Sequence, residues 1–370
     1  MSEGQAQVAL MRKWVPIAGG SCDVRMGSDA IGRSSKVFSS AVGRVRACIV
    51  VLEEGTDDSI TEKMRRELVS VGFKVSWHHV PARGCATLEA VAELVDVLAR
   101  ERITSDDLCC VLGGADIISM ASFVCGSWCG GMAMVAIPTD EIGFLEGALS
   151  PRPISAGGRE RMLSVRPCVR HVVFDYDEAL SPMGSEASLY LRTLMVASAM
   201  SGSEREFSAL WDRADALMAD DMDALVTQVM ATAKARGQAA SSAAVAVRQS
   251  IDYGQSFAHA LEAVTDGLVS HGIAVAEGLR FSARLAVLLE KLTVDDMLAQ
   301  DELLDALGVG EAACDVAPAD LVLALKRERF DRTNRFMLPV PLAIGRVRLT
   351  TVDDSVLAEL AEAWCSAHAR

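Results

Sequence analysis

The chain has 370 residues, 51% of them hydrophobic and only 5% aromatic, and a formal net charge of −14. That length supports two domains with full cores; the composition argues against disorder, and the acidic balance argues against a general nucleic-acid binder, though not against a local basic pocket. No apolar run approaches the roughly 18–20 residues of a membrane span, the N-terminus carries no basic-then-apolar leader pattern, and the ten cysteines are scattered, so a cytoplasmic protein with reduced thiols and no membrane partner is expected.

Residues 1–20 show little pattern and are expected as an N-terminal extension. Residues 22–27 alternate and then break at Gly27, which predicts a short strand and turn. Residues 46–52 form a continuous apolar run, as expected of a parallel strand buried on both faces. A helix over 59–71, a strand over 73–80, a helix over 87–102 and a third buried strand over 108–112 follow. This alternation predicts a Rossmann-like, doubly wound parallel sheet over residues 21–180, with ligands at the carboxyl ends of its strands. Cys109 and Cys110 read as buried strand residues. Cys125 and Cys129 are spaced to share a helix face, and packing is the reading for two thiols without further ligands. From about Ser185 the text is helical and dense in Ala, Leu and Met. It predicts a mostly α-helical substrate domain over 181–370, including a small-residue helix over 239–247. A ligand site is expected in the cleft between the domains.

Two stretches carry chemistry. At Gly113-Gly114 a strand ends, glycines allow close backbone approach, and a helix N-terminus favours phosphate; a plain turn is the alternative. Further on, Gln255 and His259 are four apart and share a helical face. His271 opens a second helix across a loop at 265–267, so two polar rows can converge between packed helices. The plain alternative is a pair of core helices, each with one satisfied histidine.

The run Ile251-Asp252-Tyr253-Gly254-Gln255-Ser256-Phe257-Ala258-His259-Ala260-Leu261-Glu262, then His271-Gly272, resembles the signature of the 3-dehydroquinate synthases and their relatives, the sugar-phosphate cyclases. Their pattern is roughly L-N-F-G-H-[ST]-x-G-H-A-x-E, followed by H-G. The first histidine of that pair, a zinc ligand in the family, is Gln255 here. Leu112 to Ser119 resembles the G-G-G-x-x-x-D that holds the NAD pyrophosphate, with Ala115 and Ser119 as departures. Where the family has G-E-x-x-K near the nucleotide, this chain reads Gly84-Cys85-Ala86-Thr87. Pro138-Thr139 resembles the start of the family's P-T-T motif, in whose frame Asp140 replaces a threonine, Glu146 an aspartate and Arg152 a lysine. Gly130 falls where a family arginine reaches the neighbouring subunit. No glutamate lies near residues 191–196, where the family supplies another zinc ligand. Lys234 and Arg248 match a family lysine and arginine that face the substrate, and Arg327 or Arg329 stands for the last basic ligand.

The resemblance implies a dehydroquinate synthase-like fold and a homodimer. It implies catalytic roles for His259, His271, Glu146 and Lys234, and a small anionic substrate, phosphate or carboxylate, held by Arg152, Arg248, Asp252, Gln255 and Arg327. It places a nucleotide at Gly113, Gly114 and Thr139. In the family, NAD transiently oxidises an alcohol that zinc has polarised, phosphate leaves, the hydride returns and the ring recloses. Here the zinc site is expected to be lost, leaving no metal ligand set, and NAD is expected to bind weakly or not at all. Three readings stay open: acid–base cyclisation or elimination without zinc, an orthodox metal- and NAD-dependent cyclase, and a catalytically silent homologue that binds a ligand or partner.

Overall fold

The structure, a computed structural model, describes residues 10–369. The chain divides into two compact units between Leu180 and Ser181.

The first unit is built on β1 (Met11–Ile17), β2 (Gly20–Gly27), β3 (Ala47–Glu53), β4 (Lys74–Val80), β5 (Leu108–Gly113), β6 (Ala133–Pro138), the short hairpin β7 (Ile154–Ala156) and β8 (Arg159–Leu163), and β9 (Val169–Asp175). Seven of these make one sheet in the order β1-β2-β9-β6-β5-β3-β4. Only β1 runs antiparallel to its neighbour. Its helices are α1 (Ser35–Ser40), α2 (Asp58–Ser70), α3 (Leu88–Arg100), α4 (Ala115–Ser127) and α5 (Tyr176–Ala179). The strands β3, from Cys48 to Leu52, and β5 are buried on both faces because they are apolar there. One face of the sheet packs Val50, Leu52, Cys110 and Leu112 against Phe38, Met64 and Leu68.

The extension expected over residues 1–20 is in part sheet: from Met11 it forms β1 and pairs along its length with β2. Its signal is weak because Met11 to Trp14 are exposed and only Val15 and Ile17 are buried. Pro16 further blurs it, since proline is confined to edge strands. Residues 1–9 of that expected extension lie outside the described residues.

The second unit holds α6 (Glu186–Gly202), α7 (Glu204–Trp211), α8 (Ala214–Met218), α9 (Met222–Ser241), α10 (Val245–Arg248), α11 (Gln255–Val264), α12 (His271–Leu288), α13 (Val294–Ala306), α14 (Pro318–Phe330), the hairpin β10 (Met337–Ala343) and β11 (Arg346–Thr351), and α15 (Asp354–His368). Helix α12 is its axis, and it is buried nearly all round, from Gly272 to Ala286. Within it Glu277 is fully buried. Its carboxylate accepts from Trp364 Nε1 at 2.9 Å and pairs with His368 Nε2 at 3.0 Å and Arg280 at 3.3 Å. A buried carboxylate is tolerable only when paired and hydrogen-bonded in this way.

The helix expected over 239–247 is interrupted. Helix α9 stops at Ser241, and Ser242 turns extended at φ −60°, ψ 137°. The Ser242 hydroxyl accepts from Ala244 N–H at 3.2 Å. Serine favours such local bonds over continuing a helix.

Candidate functional site

In the first unit the glycine turn sits between β5 and α4. Gly113 has φ 156°, and a Cβ there would come within 2.5 Å of Ile117 Cγ2 and 2.8 Å of Glu53 Oε1. The next N–H, at Gly114, donates to Glu53 Oε1 at 2.7 Å. A carboxylate of the chain itself thus occupies the helix N-terminus. Thr139 N–H donates to Gly113 O at 3.2 Å, which ties β6 to the turn. Asp140 accepts from Gly143 N–H.

Glu146 lies on a fully buried π-helical turn, Gly143–Leu149. It takes Arg152 through Oε2, at 2.7 Å and 3.0 Å, while Arg152 also reaches Asp116 at 3.2 Å. Ser119, where the family has an aspartate, donates to Ala115 O and accepts from Arg152 N–H. Burial pushes the Glu53 carboxyl up, reinforced by Asp140 and Asp116 and opposed by the Gly114 N–H. Burial likewise raises Asp140. Both shifts disfavour added negative charge at this turn.

In the second unit Gly254, at φ 83°, lets the chain turn into α11 against α12. A Cβ on Gly278 would lie 2.1 Å from Gly254 O, so the two helices meet backbone to backbone. A Cβ on Gly272 would come within 2.6 Å of Leu189 and 3.0 Å of Tyr190 backbone. The glycine after His271 therefore seats that histidine against α6, edge-on to Tyr190 at 4.6 Å.

These approaches gather the polar rows. His259 Nδ1 pairs with Glu328 Oε1 at 2.9 Å, and His271 Nδ1 with Glu262 Oε1 at 2.6 Å. The two rings are near parallel, with centroids 6.1 Å apart. Gln255 Nε2 donates to Tyr190 Oη at 3.2 Å. Glu328 also holds Arg332 at 2.7 Å. Arg329 reaches Ser256 Oγ at 3.4 Å, and its charge acts on Asp252. The protein atoms crowding Asp252 raise its carboxyl, while Arg329, Arg236 and Arg332 oppose that rise.

The histidines and Gln255 therefore come together as one group. Lys234 and Arg248 are exposed, and Arg248 donates to Ser242 O and Ala243 O at 2.6 and 3.0 Å. Of the two basic candidates on α14, Arg327 is exposed and Arg329 is the one turned to Ser256 and Asp252. Glu53, Glu262, Glu328 and Tyr190 enter from the geometry. Only Glu262 had a sequence signal, as the last residue of the histidine signature.

Models of the 3-dehydroquinate synthase N-terminal and C-terminal regions match residues 80–150 and 195–329. The chain belongs to the 3-dehydroquinate synthase-like, sugar-phosphate cyclase family of cyclase/lyase-type enzymes. Similar relatives include the 3-dehydroquinate synthase of Rippkaea orientalis, 23% identical over 317 residues and covering 78% of this chain and 80% of that one. Another is that of Corynebacterium efficiens, 23% identical over 357 residues, with 95% and 96% covered. In fold the chain matches 2-deoxy-scyllo-inosose synthase in complex with carbaglucose-6-phosphate, NAD+ and Co2+, at TM-score 0.78 and 17% identity over 95% of this chain and 99% of that one. It also matches 2-epi-5-epi-valiolone synthase from Streptomyces hygroscopicus subsp. jinggangensis with NAD+ and Zn2+, at TM-score 0.77 and 15% identity over 96% and 99%.

The residues present do not fit the metal of those relatives. Among the described residues no three His, Cys, Asp or Glu side chains gather as a metal-holding group. Gln255 offers only a neutral amide, already on Tyr190, and zinc sites need several imidazole or anionic donors together. Nor does the glycine turn fit a pyrophosphate as it stands. The N–H of Gly114, which caps the helix, is taken by Glu53, and Asp116, Asp140 and Glu146 lie around it with Arg152 as a counter-charge. Among the described residues no helix is long and apolar enough to cross a membrane.

Proposed function

We propose that this family member closes or eliminates on a small sugar-phosphate-like anion by acid–base chemistry, without zinc and with weak or no use of NAD. The observation that carries this reading is the pair of histidine–carboxylate couples, His259–Glu328 and His271–Glu262, held ring to ring at 6.1 Å. A carboxylate on Nδ1 fixes an imidazole's orientation and leaves Nε2 to face outward. His271 then exchanges a proton with substrate at Nε2, and His259 serves as the second proton carrier. General acid–base groups of this kind contribute about 10²–10⁴-fold. Lys234, Arg248 and Arg329 supply positive charge for a phosphate or carboxylate. Arg152 is committed to Glu146 and Asp116, so Glu146 acts as its counter-ion before it can act as a base. We also propose a homodimer as the resting form, which sedimentation at micromolar concentration would test.

The test is phosphate release from a panel of hexose and heptulose phosphates, with carbaglucose-6-phosphate as a binding probe. Release that survives a chelator and the removal of NAD, and falls about 100-fold or more in His271→Gln, supports the reading. One zinc per chain with activity that vanishes on chelation would return the protein to metal-dependent cyclase chemistry. Binding of the probe without any turnover would make it a silent homologue.

A further inference from the structure

Within the second unit a recess of about 310 Å³, measured out to its mouth, lies between α6, α9 and the 3-10 turn Gln249–Asp252. Small side chains on the facing helices leave the space: Ala197 on α6, and Ala235 and Ala239 on α9. Packed interiors hold few voids larger than a water, and small-molecule sites begin at about 300 Å³.

Two polar groups mark its wall. Arg236 lines it and is only 5% exposed. A guanidinium stays ionised at any physiological pH, so a fixed positive charge stands beside a largely desolvated space. Ser198 lines it from α6 at 7% exposure, and its buried Oγ has no hydrogen-bond partner. A helical serine or threonine can bond back to a carbonyl one turn earlier, as Thr193 of the same helix does to Leu189 O at 3.2 Å. Ser198 does not. The other hydroxyls of the wall are spent on the backbone. Ser201 Oγ donates to Ser250 O at 3.4 Å, and Ser250 Oγ to Val247 O at 2.6 Å. A buried hydroxyl without a partner is destabilising, so this position favours an acceptor brought in from outside the chain.

We propose that this recess is an oxyanion site, in which a phosphate or carboxylate group meets Arg236 and accepts the Ser198 hydroxyl. The guanidinium sets the sign of the ligand, because a cation is repelled and a neutral group brings it no counter-ion. The oxygens of a phosphate or carboxylate match its planar fork and also take a hydroxyl donor. Lys234, two positions earlier on α9, is exposed, so the fold turns Arg236 rather than Lys234 toward the enclosed space. Ile251 of the wall precedes Asp252, a carboxyl on which the Arg236 charge acts. The recess therefore borders the segment that leads into Gly254 and α11. Its ligand is either a free anion or the anionic end of a sugar phosphate. The site stands whether or not the histidine couples move protons.

The experiment titrates inorganic phosphate into the full chain by calorimetry, in the wild type and in Ser198→Ala, Ala239→Leu and Arg236→Gln. The series is repeated with Arg248→Ala in the background, so that an exposed cation does not mask the recess. Ser198→Ala should weaken phosphate about tenfold or more, as for one hydrogen bond to a charged group. Ala239→Leu fills the space without changing a charge and should abolish binding there, as should Arg236→Gln. Where Arg236→Gln does not fold, the two neutral substitutions keep the test, with thermal melting of the ligand-free proteins as the check on folding. Carbaglucose-6-phosphate that displaces the phosphate assigns the recess to the end of a sugar phosphate. Both bound at once assigns it to a free anion. No phosphate binding at millimolar concentration overturns the proposal, as does an affinity equal to wild type in both Ser198→Ala and Ala239→Leu.

Discussion

The glycine turn of the first unit and the histidine cluster of the second are both built by close backbone approach, yet they differ in charge. At the turn, Gly113 admits Glu53, and the chain's own carboxylate takes the helix N-terminus. At the cluster, Gly254, Gly278 and Gly272 bring helices together, and Glu262 and Glu328 each have an imidazole beside them, Glu328 a guanidinium as well. The glycines preserve a scaffold in both places. The side chains decide that one is acidic and self-satisfied while the other sets each acid beside a base.

The strongest way to break the comparison is at the backbone. Gly278→Ala should put a methyl on Gly254 O and cost about 3 kcal/mol, the upper range for overpacking, as read from urea unfolding. Unchanged stability would show that the helix contact is looser than the 2.1 Å approach implies. Next, His259→Ala should lower turnover about 100-fold or more if the paired rings carry protons, and a flat activity across that substitution would remove the cluster from catalysis. Glu53→Gln should tighten ADP or NAD binding about tenfold by removing one charge from the turn, about 1.4 kcal/mol, measured by calorimetry. Weaker binding would show that Glu53 helps hold the nucleotide.

Smaller effects separate architecture from chemistry. His368 is raised by its bond to Glu277, although burial opposes this. Its contribution is therefore full below its unfolded value near 6.5 and is lost as pH rises through the higher folded value. His368→Gln should cost about 1–3 kcal/mol at pH 6 and visibly less at pH 9; a pH-independent loss would make the contact purely steric. Arg248→Ala should leave stability within about 0.5 kcal/mol, as for an exposed side chain, while weakening phosphate binding. Equal phosphate affinity in both proteins would strike Arg248 from the substrate set.

The sequence made the buried strands legible because β5 and β3 up to Leu52 are apolar without interruption. It also made the α11–α12 pair legible, because Gly254, His259 and His271 keep a fixed spacing. It hid β1, whose exposed first half has no periodicity. It hid Glu53 and Glu328 because their partners, Gly114 and His259, lie 61 and 69 residues away. No local pattern reports a contact of that separation.

The break at Ser242 has a consequence for how the basic residues would respond to a ligand. Lys234 belongs to the long α9, whereas Arg248 ends the four-residue α10 and rests its guanidinium on the carbonyls of the break itself. An anion that draws Arg248 away must release those two carbonyls, which are already exposed and can turn to water. Amide hydrogens across 242–248 should therefore exchange at a rate that changes with phosphate occupancy, while those of α9 around Lys234 keep one rate throughout.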